Sequence, residues 1–281
     1  MFSSRHVPMA RPAGGGAAWV QALDVATTFA LGQRATIVGP VGSGRSTVAR
    51  ALAAAILRSY PAAEIHALLV DQPADEPLEW RYELPSVIVH ATATDDPPAQ
   101  HVDVDHVFDA ARASAIAGTD AVIIVDSLAQ LGRALNITLP EDERILTGGL
   151  MQTALRELRA RFGQARQLAS GGSLTIVGIV TAGGESELDE VIKNELVGTG
   201  NMEIHLAAEV KAAGIFPPID LDMSGARHAE LVIGENRATR LAHLKAIALD
   251  RGASGGMALL LGELELHGSL EDVLDRFVPE L

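Results

Sequence analysis

The segment from Arg34 to Tyr60 constrains the fold more than any other part of the chain. It reads RATIV, then GPVGSGRS, then TVARALAAAILRSY. The β-branched run Arg34 to Val38 predicts a short buried strand. From Ser46 to Tyr60 strong helix formers continue without Gly or Pro, which predicts a helix leaving the turn at once. Strand, glycine-rich turn and helix in this order make an anion cradle, because backbone N–H groups of the turn and of the first helical residues converge on one point and need little from side chains.

The turn itself, Gly39 to Ser46, matches the P-loop pattern at Gly39, at Gly44 and at the hydroxyl of Ser46, and departs from it at Arg45, where a lysine is expected. A lysine ammonium is compact and reaches the outer phosphates on a flexible stem; a guanidinium is broader, planar and differently placed. Gly39, Gly42, Ser43, Gly44, Arg45, Ser46 and Thr47 are therefore candidates for holding ATP phosphates. Taken alone, they also fit a plain glycine turn between a strand and a helix.

Further apolar runs at Ile65 to Val70, Ser86 to His90, Ala121 to Val125, Leu174 to Val180 and Met202 to Leu206 are spaced to leave room for crossover helices. They predict an α/β fold with a mostly parallel central sheet flanked by helices. Helical patterns are expected at Trp19 to Phe29, Arg237 to Leu249, Gly256 to Leu264 and Leu270 to Phe277, with a loop rich in Gly and Pro after Leu206. A length of 281 residues with 48% hydrophobic content suits one large domain over 19–281, preceded by a flexible tail at 1–18.

Composition narrows the function. Thirty-six acidic against 22 basic residues give a formal charge of −14, which opposes non-specific nucleic-acid binding, since such binding needs Lys and Arg to neutralise phosphates. The absence of cysteine removes disulfides and thiolate metal sites. No apolar run approaches the roughly 20 residues of a membrane-spanning helix, and Met1 to Gly16 has no signal-peptide core. No membrane is expected, and a cytoplasmic location is.

Two further strand ends carry polar groups to the edge where ligands of open α/β sheets bind. AVIIVD ends in Asp126, the candidate partner of a Mg²⁺ ion shared with Ser46. Ile65 to Val70 is followed by Asp71 and Gln72, where a water-activating base is expected. A glutamine amide can orient a water but cannot take its proton as a carboxylate does, so Gln72 predicts slow hydrolysis.

At this point the chain resembles the Rho family of transcription termination factors: GQRATIVGP, DAVIIVDSLAQLGRALN, ILTGGL, GGSLTIVG, DEVI, GTGNMEIHL and IFPPID followed by SGAR, spread from about Leu23 to Phe277. The resemblance implies a RecA-like P-loop NTPase fold, binding of ATP and Mg²⁺, a ring of six subunits, RNA threaded through the centre and contact with the transcription machinery. It implies that Phe216 stacks on adenine and that Arg227 is an arginine finger offered to a neighbouring subunit. A core aromatic beside Pro217 and a solvated loop arginine are the bland alternatives. Almost nothing precedes the motor domain, so the N-terminal RNA-binding domain of the family is expected to be missing.

The departures from the family pattern cluster around the γ-phosphate: Arg45 for lysine, Gln72 for the catalytic glutamate, Pro73 for the arginine after it and Gln130 for an arginine past Asp126. In the RNA loops Arg144 keeps a positive charge, Gly148 belongs to the same loop, Glu187 replaces a lysine, and Gly214 stands where an arginine links RNA to the ATP site. The expected function is a Rho-like nucleotide-binding scaffold or regulatory ring, homo-hexameric or mixed with a Rho protein, with hydrolysis and RNA threading impaired. The competing expectation is an active RNA-dependent ATPase. His101, Asp103, Asp105 and His106 resemble metal ligands but are expected to be a solvated helical start, and Glu141 to Glu143 a solvated loop.

Overall fold

A computed structural model describes residues 5–9, 17–92, 97–138, 145–169, 171–184 and 186–279, without the side chains of 97–103. In chain order the elements are α1 (Ala18–Ala26), β1 (Arg34–Gly39), α2 (Arg45–Ser59), β2 (Glu64–Val70), α3 (Glu76–Glu83), β3 (Ile88–Thr92), α4 (Pro97–Ile116), β4 (Asp120–Asp126) and α5 (Leu128–Thr138). A single 3-10 turn (Thr147–Gly149) leads to α6 (Gln152–Phe162), β5 (Arg166–Gln167), β6 (Ser173–Thr181), α7 (Glu187–Leu196), β7 (Met202–Leu206), α8 (Ala208–Ala212), β8 (Ile219–Ala226), α9 (Ala229–Ile233), α10 (Glu235–Leu249), α11 (Gly252–His267) and α12 (Leu270–Phe277).

The sheet runs β3-β2-β4-β6-β1-β7-β8, with β5 paired to β6. All neighbours are parallel except β5 with β6 and β7 with β8. Side chains alternate across a strand, so consecutive residues feed two cores. Ile37, Leu69, Ile124 and Ile179 face α1, α2 and the C-terminal helices; Val38, Leu68, Ile123 and Val180 face α4, α5, α6 and α7. Burial on both faces is why these strands read as near-continuous apolar runs.

Four findings differ from the expected layout. The third strand begins at Ile88 rather than Ser86, because its parallel register pairs His66 with Ile88 and Val70 with Thr92. A strand, β8, occupies part of the expected Gly/Pro loop; it pairs antiparallel with β7 across an irregularity where the Ser224 hydroxyl accepts from His205 N at 2.9 Å. Helix α11 starts four residues early, at Gly252, because the absent Cβ of Gly256 lets it approach α10: a Cβ there would lie 2.3 Å from Ala248 O. Residues 5–9, expected in a flexible tail, pack against the body. Val7 and Met9 are buried, Met9 N donates to Asp24 Oδ1 at 2.9 Å, and Arg58 donates to Pro8 O at 2.7 Å.

Among the described residues no helix is long and apolar enough to cross a membrane, and no cluster of three His, Asp or Glu side chains could hold a metal. Asp105 is paired with Arg161 at 2.5 Å, while the side chains of His101 and Asp103 and the run Glu141 to Glu143 lie outside the described residues.

Candidate functional site

Because β1, β2, β4 and β6 are parallel, their carboxyl ends share one edge, and the glycine turn, Asp71, Asp126 and Thr181 all lie along it. The turn leaves β1 at Gly39 and enters α2 at Arg45. Gly42 (φ 70°) and Gly44 (φ 86°) take left-handed backbone conformations, which glycine adopts without steric cost. At Gly44 there is a second reason for glycine: a Cβ would lie 2.7 Å from Cζ of Phe216. The half-exposed Phe216 ring therefore rests on the turn itself, with a free apolar face beside the start of α2.

Ser46 Oγ donates to Asp126 Oδ2 at 2.9 Å across the end of β6. Burial pushes the Asp126 carboxyl above the usual carboxylate range, while the Ser46 hydrogen bond and then Arg45 and Arg50 pull it back. One hydroxyl and one carboxylate side by side fit Mg²⁺, which takes one or two protein oxygens and leaves its other positions to phosphate and water. The Ser43 hydroxyl is buried without a protein partner among the described residues. Thr47 follows on the first turn of α2.

Arg45 does not reach outward as a P-loop lysine does. Its guanidinium donates to Thr181 Oγ1 at the end of β6. Burial lowers its pKa from the usual arginine value, opposed by the charges of Asp126 and Asp189. The cation is thus committed across the cradle, between β4, β6 and α7.

On the far side of β4, Gln72 Nε2 donates back to Val70 O at 3.3 Å. Asp71, at φ 52°, has Oδ2 held by Gln130 Nε2 at 2.9 Å. Two of the altered positions therefore differ: Gln130 anchors a carboxylate, while Gln72 carries none. Glu76, missed from the sequence, stands close enough to Asp126 to feel its charge. Burial raises its pKa, Arg50 opposes this, and Asp126 and Glu79 add to it. Arg50 also binds Glu79 at 2.8 Å and Glu83 at 3.1 Å, besides Glu76 at 2.5 Å, and so ties α3 to α2. The signal was legible: Glu76, Glu79 and Glu83 share one helical face.

Arg227 is not brought to this edge. β8 runs back against β7, so Ala226 pairs with Met202 at the start of β7. Arg227 N donates to Asn201 O at 2.9 Å and Nη2 to Gly198 O at 2.8 Å. The length of β1, six residues, separates it from its own glycine turn, roughly 17 Å at the usual strand rise.

The ATP synthase alpha/beta family, nucleotide-binding domain, matches residues 20–226. The chain belongs to that family. Among curated relatives it is 32% identical over 254 residues to transcription termination factor Rho of Escherichia coli strain K12, covering 90% of this chain and 60% of that protein. It is 35% identical over 227 residues to Rho of Rhodopirellula baltica, covering 79% of this chain and 44% of that one. The chain thus spans about 60% or less of the length of these Rho relatives. A solved structure of a prototypical ATPase from the type III secretion system of pathogenic bacteria superposes with TM-score 0.72 at 19% identity, covering 89% of this chain and 71% of that chain. The fold is thereby the RecA-like P-loop type.

In this Rho-like ATPase domain, Gly148 and Glu187, which the resemblance implies for RNA loops, lie among the described residues. Arg144 lies outside the described residues. Gly148 (φ 77°) has its backbone against Glu187 and Leu188 at the start of α7. Glu187 is exposed in the first turn of α7, with Asp189 and Glu190, where Ser186 caps the helix; negative charge there is favoured by the helix dipole. Gly214 (φ 78°) ends the turn after α8, with open space beside it.

Proposed function

We propose that this Rho-like domain binds ATP with Mg²⁺ in the cradle of Gly39, Gly42, Ser43, Gly44 and Thr47, with Ser46 and Asp126 at the metal and adenine on Phe216, and that it hydrolyses ATP slowly. Its role is then that of a nucleotide-binding scaffold or regulatory ring, homo-hexameric or mixed with a Rho protein, within the transcription machinery. The observation that carries this reading is the contrast between an intact Ser46–Asp126 pair and Gln72, whose amide nitrogen turns to Val70 O where a proton acceptor is needed. Arg45, tied to Thr181, supports the same conclusion. The exposed Glu187 and the net charge of −14 support weak RNA binding.

A second reading, an active RNA-dependent ATPase, is favoured by Glu76 beside Asp126 and by the position of Arg227 at the opposite sheet edge, open to a neighbouring copy. Steady-state hydrolysis with and without single-stranded RNA, alongside equilibrium binding of ATP, separates the two. The scaffold reading expects Mg²⁺-dependent ATP binding with turnover well below about 1 s⁻¹, raised about tenfold by Gln72→Glu. RNA-stimulated turnover near 1 s⁻¹ or above, abolished by Arg227→Ala, would establish the second reading instead.

A further inference from the structure

Position 45 leaves the cradle without a free cation on α2, yet one approaches it from outside. We propose that Lys211 is the ammonium that meets the phosphate chain of a bound nucleoside triphosphate. The inference rests on the nucleotide-binding reading above and adds to it a residue outside the P-loop segment.

Lys211 lies on α8, which is fixed to the body by the fully buried Val210 and by Ser254 of α11 donating to Glu209 O at 3.4 Å. Its side chain is exposed, and Nζ donates to Val41 O, at the crest of the turn, at 3.3 Å. The same nitrogen lies 3.1 Å from where a Cβ on Gly42 would be. Among the described residues the partner of Nζ is the Val41 carbonyl rather than a carboxylate. Phe216, five residues further on, touches the turn at Gly44, so one segment covers the outside of the turn at two points, with a cation at one and an aromatic ring at the other.

An ammonium has three donors on a rotatable stem, and a single long bond to a neutral, solvent-exposed carbonyl holds it weakly. A phosphate oxygen offers a shorter, charge-assisted bond about twice as strong, so an anion seated on the Gly42 to Gly44 amides draws Nζ away from Val41 O. Arg45, bound to Thr181 and flanked by Asp126 and Asp189, is not free to do this. The bland alternative is a solvated lysine resting on a loop.

The test is titration of the whole chain with a fluorescent ATP analogue and Mg²⁺, comparing wild type, Lys211→Ala and Lys211→Arg. Lys211→Ala is expected to weaken binding about fivefold or more, with a loss that shrinks as salt rises. Lys211→Arg should recover most of the affinity. The melting temperature of each variant without nucleotide should match wild type, since the side chain packs against nothing in the core. Binding by Lys211→Ala within about twofold of wild type at low salt overturns the inference while leaving the cradle itself standing. Failure of the wild-type chain to bind the analogue removes the nucleotide reading as well, and shows before any variant is made.

Discussion

Around Gly42 and Gly44 the chain presents a left-handed turn whose backbone amides make the proposed anion site, whereas around Gln72, beyond β4, the groups in question are side chains at the end of a strand. The first region keeps its form although its most characteristic side chain has changed to Arg45. The second, on the proposed reading, has an amide at Gln72 in place of a proton acceptor, with the strand beneath it intact. Recognition written in backbone geometry survives substitution as long as the fold does; proton transfer depends on one side chain at one place.

The largest effect expected from this contrast is at the one side chain the cradle cannot replace. Asp126→Ala should reduce Mg²⁺-dependent nucleotide affinity about a hundredfold and leave metal-free binding nearly unchanged. Equal loss with and without Mg²⁺ would mean that Asp126 supports the turn rather than the ion. Next comes Arg50→Ala, which releases the three glutamates of α3 from α2. Removing the partner of a buried carboxylate is costly, but Glu79 and Glu83 are half exposed. Allowing for their solvation, about 2 kcal/mol of stability should be lost in denaturant titration. ATP affinity should change far less than stability, because none of the three glutamates of α3 belongs to the proposed cradle.

The smallest effect should spare both regions. His6, in the segment packed against the body, has its pKa lowered to about 4 by burial and by the charge of Arg237. The unfolded chain, with an ordinary histidine near 6.5, binds more protons over that interval, so stability is full above it and falls as pH drops from about 6.5 toward 4. With its partial exposure discounted, the loss is of the order of 1 kcal/mol, and His6→Gln should flatten the stability profile between pH 7 and 5. An unchanged slope in that variant would assign the acid sensitivity elsewhere.

Much of the fold was legible because buried parallel strands and the strand–turn–helix unit leave local patterns: β1, β2, β4, β6 and β7 lie where their apolar runs predicted them. What escaped depends on distant partners. β8 carries Pro and Gly nearby and becomes a strand only by pairing with β7. The first residues of α11 are glycine-rich, poor helix formers alone, and helical because a close crossing with α10 demands the missing side chain. In the site, Gly44, Ser46, Asp126 and Phe216 are brought together, while Arg45 with Thr181 and Asp71 with Gln130 are contacts between segments far apart in sequence, whose meeting no local pattern announces.

The reversal of β8 has a consequence for how such a chain can work. It places the cradle and Arg227 at opposite ends of β1, so on the reading in which Arg227 serves a neighbouring copy, a single molecule holds the front of one composite site and the back of another. Any step that draws on both is second order in protein, its rate per chain rising with concentration until every rim is matched. On that reading one defective chain disables a site it does not itself own.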